Sequence, residues 1–464
     1  MQIKIGLPKH LIGVIASSVF MMNAIAATDD VIPNDQSSLK PIVNSGGKEI
    51  KFNWPMFKIG TAEYKEGPTG VTVFSFNNKV HAVMDVRGEP GIANTEWLRL
   101  GRDTPVVDAV VLSGGSIYGL ESTTAVASAM KDDQYRTGTI GDVALSTGAI
   151  IYDLGDRRLN EVVPDKKLAQ AAYRNAKEGI FRVGSAGAGR SAKSGGLFGL
   201  NGYSGQGGAF YEKGNLKIAA FAVVNPLGAV VDRDGNIQTG YSHSSWPPNL
   251  KIADLLRITK NAWGTKDNEV RQTQNTTISL IIVNQKLPNA DLQRLATQVH
   301  TSMSRALQPF ATQWDGDVLF AVSTDEVDLP TAKAEREKTM ALLPVIASEV
   351  MWDALLSAAP EQPALPIPIK TDKVLPAKYA GKYRFSRFVT VEITAKDGKL
   401  YARATGERNA FAIPKGRSVE LLPINENLTQ FTLNESARYP LVLDFTGDSL
   451  VINPGLWAQM SEKR

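Results

Sequence analysis

The chain contains no cysteine. That excludes thiol nucleophiles, iron–sulfur clusters, cysteine-bound zinc and disulfides, so a chain of this length must rest on its cores. Histidine is nearly as scarce, with four in 464 residues: His10, His81, His243 and His300. They stand alone, without HExxH or paired spacing, and read more simply as structural or surface groups than as ligands or bases. No metal or other cofactor is implied. Charge of one sign is also missing, since the net charge is only +4. A concentrated basic face, the mark of a nucleic-acid binder, is therefore not expected. Long apolar runs are few, and the clearest one opens the chain.

Residues 1–26 read as a secretory signal. Lys4 and Lys9 supply the positive start, "LIGVIASSVFMM" the apolar stretch, and Ala24-Ile25-Ala26 the small-residue cleavage site. The stretch is too short for a membrane span, which needs about 20 residues. The mature protein is expected to be exported to the periplasm or secreted, with no membrane association once the signal is removed.

Residues 57–358 alternate strand-like and helix-like segments, as a layered α/β domain would. "GVTVFSF" and "KVHAVMDVRG" read as paired strands around Asn77-Asn78, "DAVVLSGGS" and "GAIIYDLG" as buried strands. "KKLAQAAYRNAKEG" reads as an amphipathic helix stopped by Gly179, and "LKIAAFAVVNPLGAVVD" as two strands joined by Asn-Pro-Leu-Gly. Residues 233–275 are polar and irregular around one short helix, which marks a purposeful or loose insertion. Residues 359–370, "APEQPALPIPIK", hold four prolines and read as a stiff linker. Beyond them, residues 371–464 are short alternating strands separated by turns such as Asp397-Gly398, a small antiparallel barrel or sandwich.

Two glycine-rich segments invite enzyme readings and fail them. "GAGRSA" (187–192) matches a dinucleotide fingerprint, but glycine-rich, non-helical sequence follows where a helix is required. Its glycines better suit close backbone approach. "LSGGSIYGL" lacks the second glycine of a nucleophile elbow, Tyr118 standing in its place, and no histidine completes a triad for Ser116.

The junction "QNTTISL" remains, where a polar stretch meets a buried strand. It reads three ways. It is a plain strand start, since β-branched residues suit a pleated surface. It is also a sequon, as at Asn427 and Asn434. Finally, it could be a site of self-cleavage before Thr276. A threonine needs a base to act as nucleophile. An N-terminal threonine carries one in its own α-amine, whose pKa of about 7.7–8.0 suits neutral pH.

Seven segments, in order over residues 55–358, are similar to the self-cleaving aminopeptidases. That family includes D-aminopeptidase/esterases, β-peptidyl aminopeptidases and the nylon-oligomer hydrolase. The segments are "FKIGTAEYKEGPTGVTV", "HAVMDVRGEPGIANTEWL", "DAVVLSGGSIYGL", "GAIIYDLG", "AVVNPLGAVVD", "NTTISLIIVNQKL" and "WDGDVLFAVST". The resemblance implies a four-layer αββα sandwich and cleavage into an α subunit (27–275) and a β subunit from 276. Thr276 matches the nucleophile, Asn275 the new C-terminus, and Asp315 and Asp317 positions that orient the nucleophile and its amine. Asn225 matches an oxyanion-hole amide and Tyr152 a residue beside the oxyanion. The family's Lys-Gly-Gly is not preserved intact: Lys193 keeps the charge and Gln206 the spacing, and Lys193 is the better match. Residues 371–464 resemble a lipocalin-like β domain found on some exported hydrolases.

The resemblance implies an amidase or aminopeptidase for small peptides or amides, D- or β-amino acid types included, working as an α/β heterodimer within a homo-oligomer. The alternatives are a non-catalytic periplasmic ligand-binding protein on the same scaffold and a penicillin-recognising serine hydrolase.

Overall fold

A computed structural model describes residues 36–462, except 100, 103–104, 156, 201, 241–249, 262–274, 436–439 and 448. The expected signal and the four residues before Asn275 lie outside the described residues. Eight long strands share one hydrogen-bonded network: β1 (Phe57–Glu63), β2 (Gly70–Gly88), β3 (Val106–Ser113), β4 (Ser146–Ile150), β5 (Gln206–Lys213), β6 (Leu216–Asn225), β7 (Thr276–Gln285) and β8 (Gly316–Val327). Their order is β5-β6-β7-β8-β2-β3-β4, with β1 also on β2. The helices are α1 (Glu121–Asp132), α2 (Lys166–Arg174), α3 (Ile252–Asn261), α4 (Asn289–Ser302) and α5 (Lys333–Ser357).

Strand β2 organises the layers. Its first half pairs with β1 and β3, and its second half, His81–Gly88, pairs with β8. The reading of two strands around Asn77-Asn78 is corrected here. The halves have different partners, so the chain runs on through one 19-residue strand instead of reversing. The network thus folds into two facing layers. Alternation sends Phe74, Leu112, Phe221, Ile278, Leu280 and Phe320 into the core between them. The opposite faces pack under α4 and α5 on one side, through Ile281 and Leu319, and under α1 and α2 on the other, through Val73 and Val111. This is the αββα sandwich.

One helix departs from expectation, and another carries a long apolar run. Asp165 caps α2, its carboxylate accepting from Leu168 N–H (2.8 Å). The helix ends at Arg174, not Gly179, because Lys177 and Glu178 pair with β1. Helix α5 is long and apolar enough to cross a membrane by composition, a run the sequence reading passed over. Its Leu343, Ala347, Val350, Met351, Ala354 and Leu355 are buried in the sandwich, as a core helix requires. It sits so close that a Cβ on Gly207 would lie 1.9 Å from Ala354 O. Around Gly187–Gly189 the chain makes one 3-10 turn, with no helix after it to receive a dinucleotide.

The C-terminal part is an eight-strand antiparallel meander from Gly381–Arg384 to Gln459–Met460. It curls into a half-barrel, and Glu462 N–H reaches Arg384 O at 2.7 Å. Phe431, Leu443 and Ile452 fill its core, joined by Leu159 from the sandwich.

Candidate active site

Register alone builds the centre. Thr276 opens β7, Asn225 closes β6, and the antiparallel ladder sets them directly opposite. Opposed residues share a face and lie close, so this amide and hydroxyl are neighbours despite their separation in sequence. Both are buried, at the end of the rows that supply Val223 and Ile278 to the inner core.

Thr276 Oγ1 donates to the carbonyl oxygen of Asn275 at 2.5 Å. The same oxygen accepts from Gly316 N–H at 2.9 Å, while Asn275 N–H donates to Trp314 O. Two donors on one carbonyl oxygen draw electron density from its carbon and stabilise an oxyanion there. A Cβ on Gly316 would lie 3.0 Å from Thr276 Oγ1 and 2.9 Å from Glu89 O, so only glycine fits without displacement. Composition gives no hint of this backbone donor, and only the threading of β7 beside β8 reveals it.

The two carboxylates divide their work. Asp317 Oδ1 accepts from Thr277 N–H at 2.6 Å. Its strand position places it on the α4 side of the sheet, the opposite face from Thr276 Oγ1, because neighbouring strand residues alternate. Burial, reinforced by the nearby Asp315 charge, pushes the Asp317 carboxyl well above the usual range. Its Oδ2 and the Thr277 hydroxyl are both buried without a hydrogen-bond partner. Asp315 accepts from Leu227 N–H (3.1 Å), Thr312 N–H (3.0 Å) and Thr312 Oγ1 (2.6 Å). It staples the turn after Asn225 to the turn before β8. Neither carboxylate hydrogen-bonds Thr276; one holds the next amide and the other holds the turn behind Asn225.

Asn225 is held from two sides. Its Oδ1 accepts from Lys193 N–H (2.9 Å), and its Nδ2 donates to Tyr152 O (3.3 Å). An amide nitrogen has two hydrogens, so one remains for an oxyanion. Lys193 and Tyr152 converge on Gly155, where a Cβ would lie 3.5 Å from Lys193 Nζ and 3.9 Å from Tyr152 Cε1. Gln206 has another position. Its amide bridges the two layers, accepting from Thr72 Oγ1 (2.6 Å) and donating to Arg182 O (2.7 Å). Lys193 therefore stands beside Asn225, and Gln206 is a sheet-to-sheet tie.

The sequence reading missed the device that fixes the Tyr152 loop. Asp153 accepts from Gly115 N–H and Thr69 Oγ1, and Arg158 lies 3.8 Å from it. Arg158 also donates to Pro68 O, Asn160 Oδ1 and Val162 O. A buried charge needs a partner, and "YDLGDRR" holds acid and base within a few residues, which is the signal available. The described histidines serve elsewhere: His300 pairs with Asp85 (2.8 Å) and His81 with Asp325 (2.7 Å). Among the described residues, no group of three or more His, Asp or Glu could hold a metal ion.

The chain is a peptidase-type hydrolase, with a threonine hydroxyl, a polarised carbonyl and a clamped amide at the centre of its layered sandwich. The family model described as peptidase family S58 matches residues 56–362, and the chain belongs to that family. The 6-aminohexanoate-oligomer endohydrolase of Agromyces sp. (strain KY5R) is 38% identical over 332 residues, 70% of this chain and 90% of that protein. The enzyme of the same name from Paenarthrobacter ureafaciens has the same identity and coverage. Among solved structures, the L-aminopeptidase D-Ala-esterase/amidase of Ochrobactrum anthropi aligns with TM-score 0.46 at 15% identity, covering 68% of this chain and 88% of that one. The half-barrel lies beyond the matched residues.

Proposed function

We propose that this amide hydrolase is exported, cuts itself between Asn275 and Thr276, and then uses Thr276 as an N-terminal nucleophile. One observation carries the reading: Thr276 Oγ1 and Gly316 N–H both sit on the carbonyl oxygen of Asn275. Attack of Oγ1 on that carbonyl carbon forms an ester as the C–N bond breaks, and the nitrogen takes a proton. Water then hydrolyses the ester, leaving the Asn275 carboxylate and a free Thr276 amine and hydroxyl.

The same atoms serve the second reaction. The α-amine accepts the hydroxyl proton as Oγ1 attacks a substrate carbonyl, and the second Asn225 hydrogen meets the oxyanion beside Tyr152. The leaving amine departs protonated, and water releases the acid from the acyl-threonine. Lys193 supplies positive charge beside this chemistry. Suitable substrates are small peptides and amides, D- or β-amino acid types included. Linear oligomers of 6-aminohexanoate are the first to try, since enzymes named for them are 38% identical. The working protein is periplasmic or secreted, an α/β heterodimer within a homo-oligomer.

Mass spectrometry of the purified protein is the test. Two pieces divided at Asn275–Thr276 are expected, and a Thr276→Ala chain is expected to remain whole and inactive. A wild-type chain that hydrolyses amides while uncut would sink this reading.

A further inference from the structure

The half-barrel grips both arms that hold Asn225. The first arm is the short ladder in which Lys193 pairs with Tyr203 and Ser194 with Gly202. Trp457 of the half-barrel stacks on the Tyr203 ring, with centroids 4.0 Å apart and planes 15° from parallel. Gln362, from the proline-rich segment, accepts from Tyr203 N–H (2.9 Å) and donates to Tyr203 O (2.7 Å). A stacked ring with both backbone groups bonded has little freedom, and its ladder partner Lys193 donates to Asn225 Oδ1.

The second arm is the loop from Tyr152 to Asn160. Its Leu159 is wholly buried in the half-barrel core. Gln459 accepts from Leu159 N–H (2.6 Å) and donates to Arg157 O (2.7 Å). Arg408 of the half-barrel donates to Arg158 O (2.7 Å). The arms also meet, since the Arg157 guanidinium lies 4.8 Å from the Tyr203 ring centroid. At its near end this loop supplies Tyr152 O to Asn225 Nδ2.

We infer that the C-terminal half-barrel is a working part of the hydrolytic site: through Trp457, Gln459 and the buried Leu159 it sets the two arms that aim the Asn225 amide. Tyr203 and Leu159 are positioning residues, since each acts through another group. The inference rests on the proposed role of Asn225 in amide hydrolysis. It separates two reactions of one nucleophile. Thr276, Asn275 and Gly316 are held by backbone bonds within and beside β7 and β8, so chain cleavage does not draw on the half-barrel. Substrate turnover does, because an amide displaced by about 1 Å forfeits on the order of 100-fold in rate.

The test compares full-length Trp457→Ala, Gln459→Ala and Trp457→Phe with wild type on a 6-aminohexanoate oligomer and an amino-acid amide. Near-UV circular dichroism and melting temperature report folding. Both alanine variants are expected to be cut at Asn275–Thr276 as wild type is. Their kcat should fall ~10- to ~100-fold with KM within ~3-fold, the mark of a contact made in the transition state alone. Trp457→Phe should recover most of the loss, because the stack survives. Should Trp457→Ala not fold, Gln459→Ala carries the measurement by itself, its stack being intact. Alanine variants with kcat within ~2-fold of wild type would overturn the inference, as would raised KM at unchanged kcat, which would make the half-barrel a binding module. A wild-type protein that turns over no amide removes the functional reading as well, whereas an active wild type with indifferent variants removes this inference alone.

Discussion

Two regions meet at Thr276, and they are built by different means. The strand pair β7 and β8 is a parallel ladder buried on both faces, with ten consecutive buried residues in β7. Backbone bonds place its atoms, so side-chain changes at a distance move them little. The arms around Asn225 are loops fixed by side chains: Asp153 on Gly115, Arg158 on Pro68, Trp457 on Tyr203, Gln459 on Leu159. Such positions shift when one contact is lost. Under the proposed function, the difference teaches that cutting the chain and cutting a substrate need not share their sensitivities, though both would use one hydroxyl.

The sharpest way to break that contrast is Asn225→Ala. Turnover should fall ~100- to ~1000-fold, as when one oxyanion donor is removed, while mass spectrometry still finds the chain divided. Equal loss of both reactions would merge the two regions. Gly316→Ala tests the other side. Its Cβ presses on Glu89 O and Thr276 Oγ1, so the rate of chain division, followed by gel after synthesis, should drop on the order of 10-fold or more. Division at the wild-type rate would remove Gly316 from the first reaction.

The smallest effect concerns Asp317. Burial raises its pKa, so the folded chain favours the protonated carboxyl more than the unfolded chain does. Stability is then full below the ordinary carboxylate value of about 3.9 and declines as pH rises toward the raised one. In the Thr276→Ala background, urea midpoints should fall as pH rises above about 4, and Asp317→Asn should flatten that slope. A slope unchanged by the asparagine would show that another group carries it.

How legible was this in the sequence? Strands β6, β7 and β8 were, because buried β-branched runs have few other uses. Thr276 stood out at its junction as one of three readings and Asn225 only through motif resemblance, and the register then explained why they belong together. Strand β2 was misread, since a polar Asn-Asn pair marks a turn locally, while different partners for its two halves are a long-range fact. Asp317 was expected to orient the nucleophile, and the sheet's alternation directs its carboxylate to Thr277 N–H, one residue on. The contacts that dock the half-barrel were invisible. Leu159, Tyr203 and Trp457 look like ordinary apolar and aromatic residues, and only the folded chain brings them within reach of one another.

One consequence follows from the strand order. Strands β7 and β8 lie between β6 and β2, so a cut before Thr276 leaves two strands of the downstream piece walled in by strands of the upstream piece. The halves would be interleaved, not merely adjacent. Unfolding such a protein would release two separate chains, and regaining the sheet would require them to find each other. A concentration-independent folding reaction would become a second-order one, having lost the effective concentration that the linking peptide supplied. Once divided, the protein would be made durable by slow escape from its native state, with little prospect of easy return.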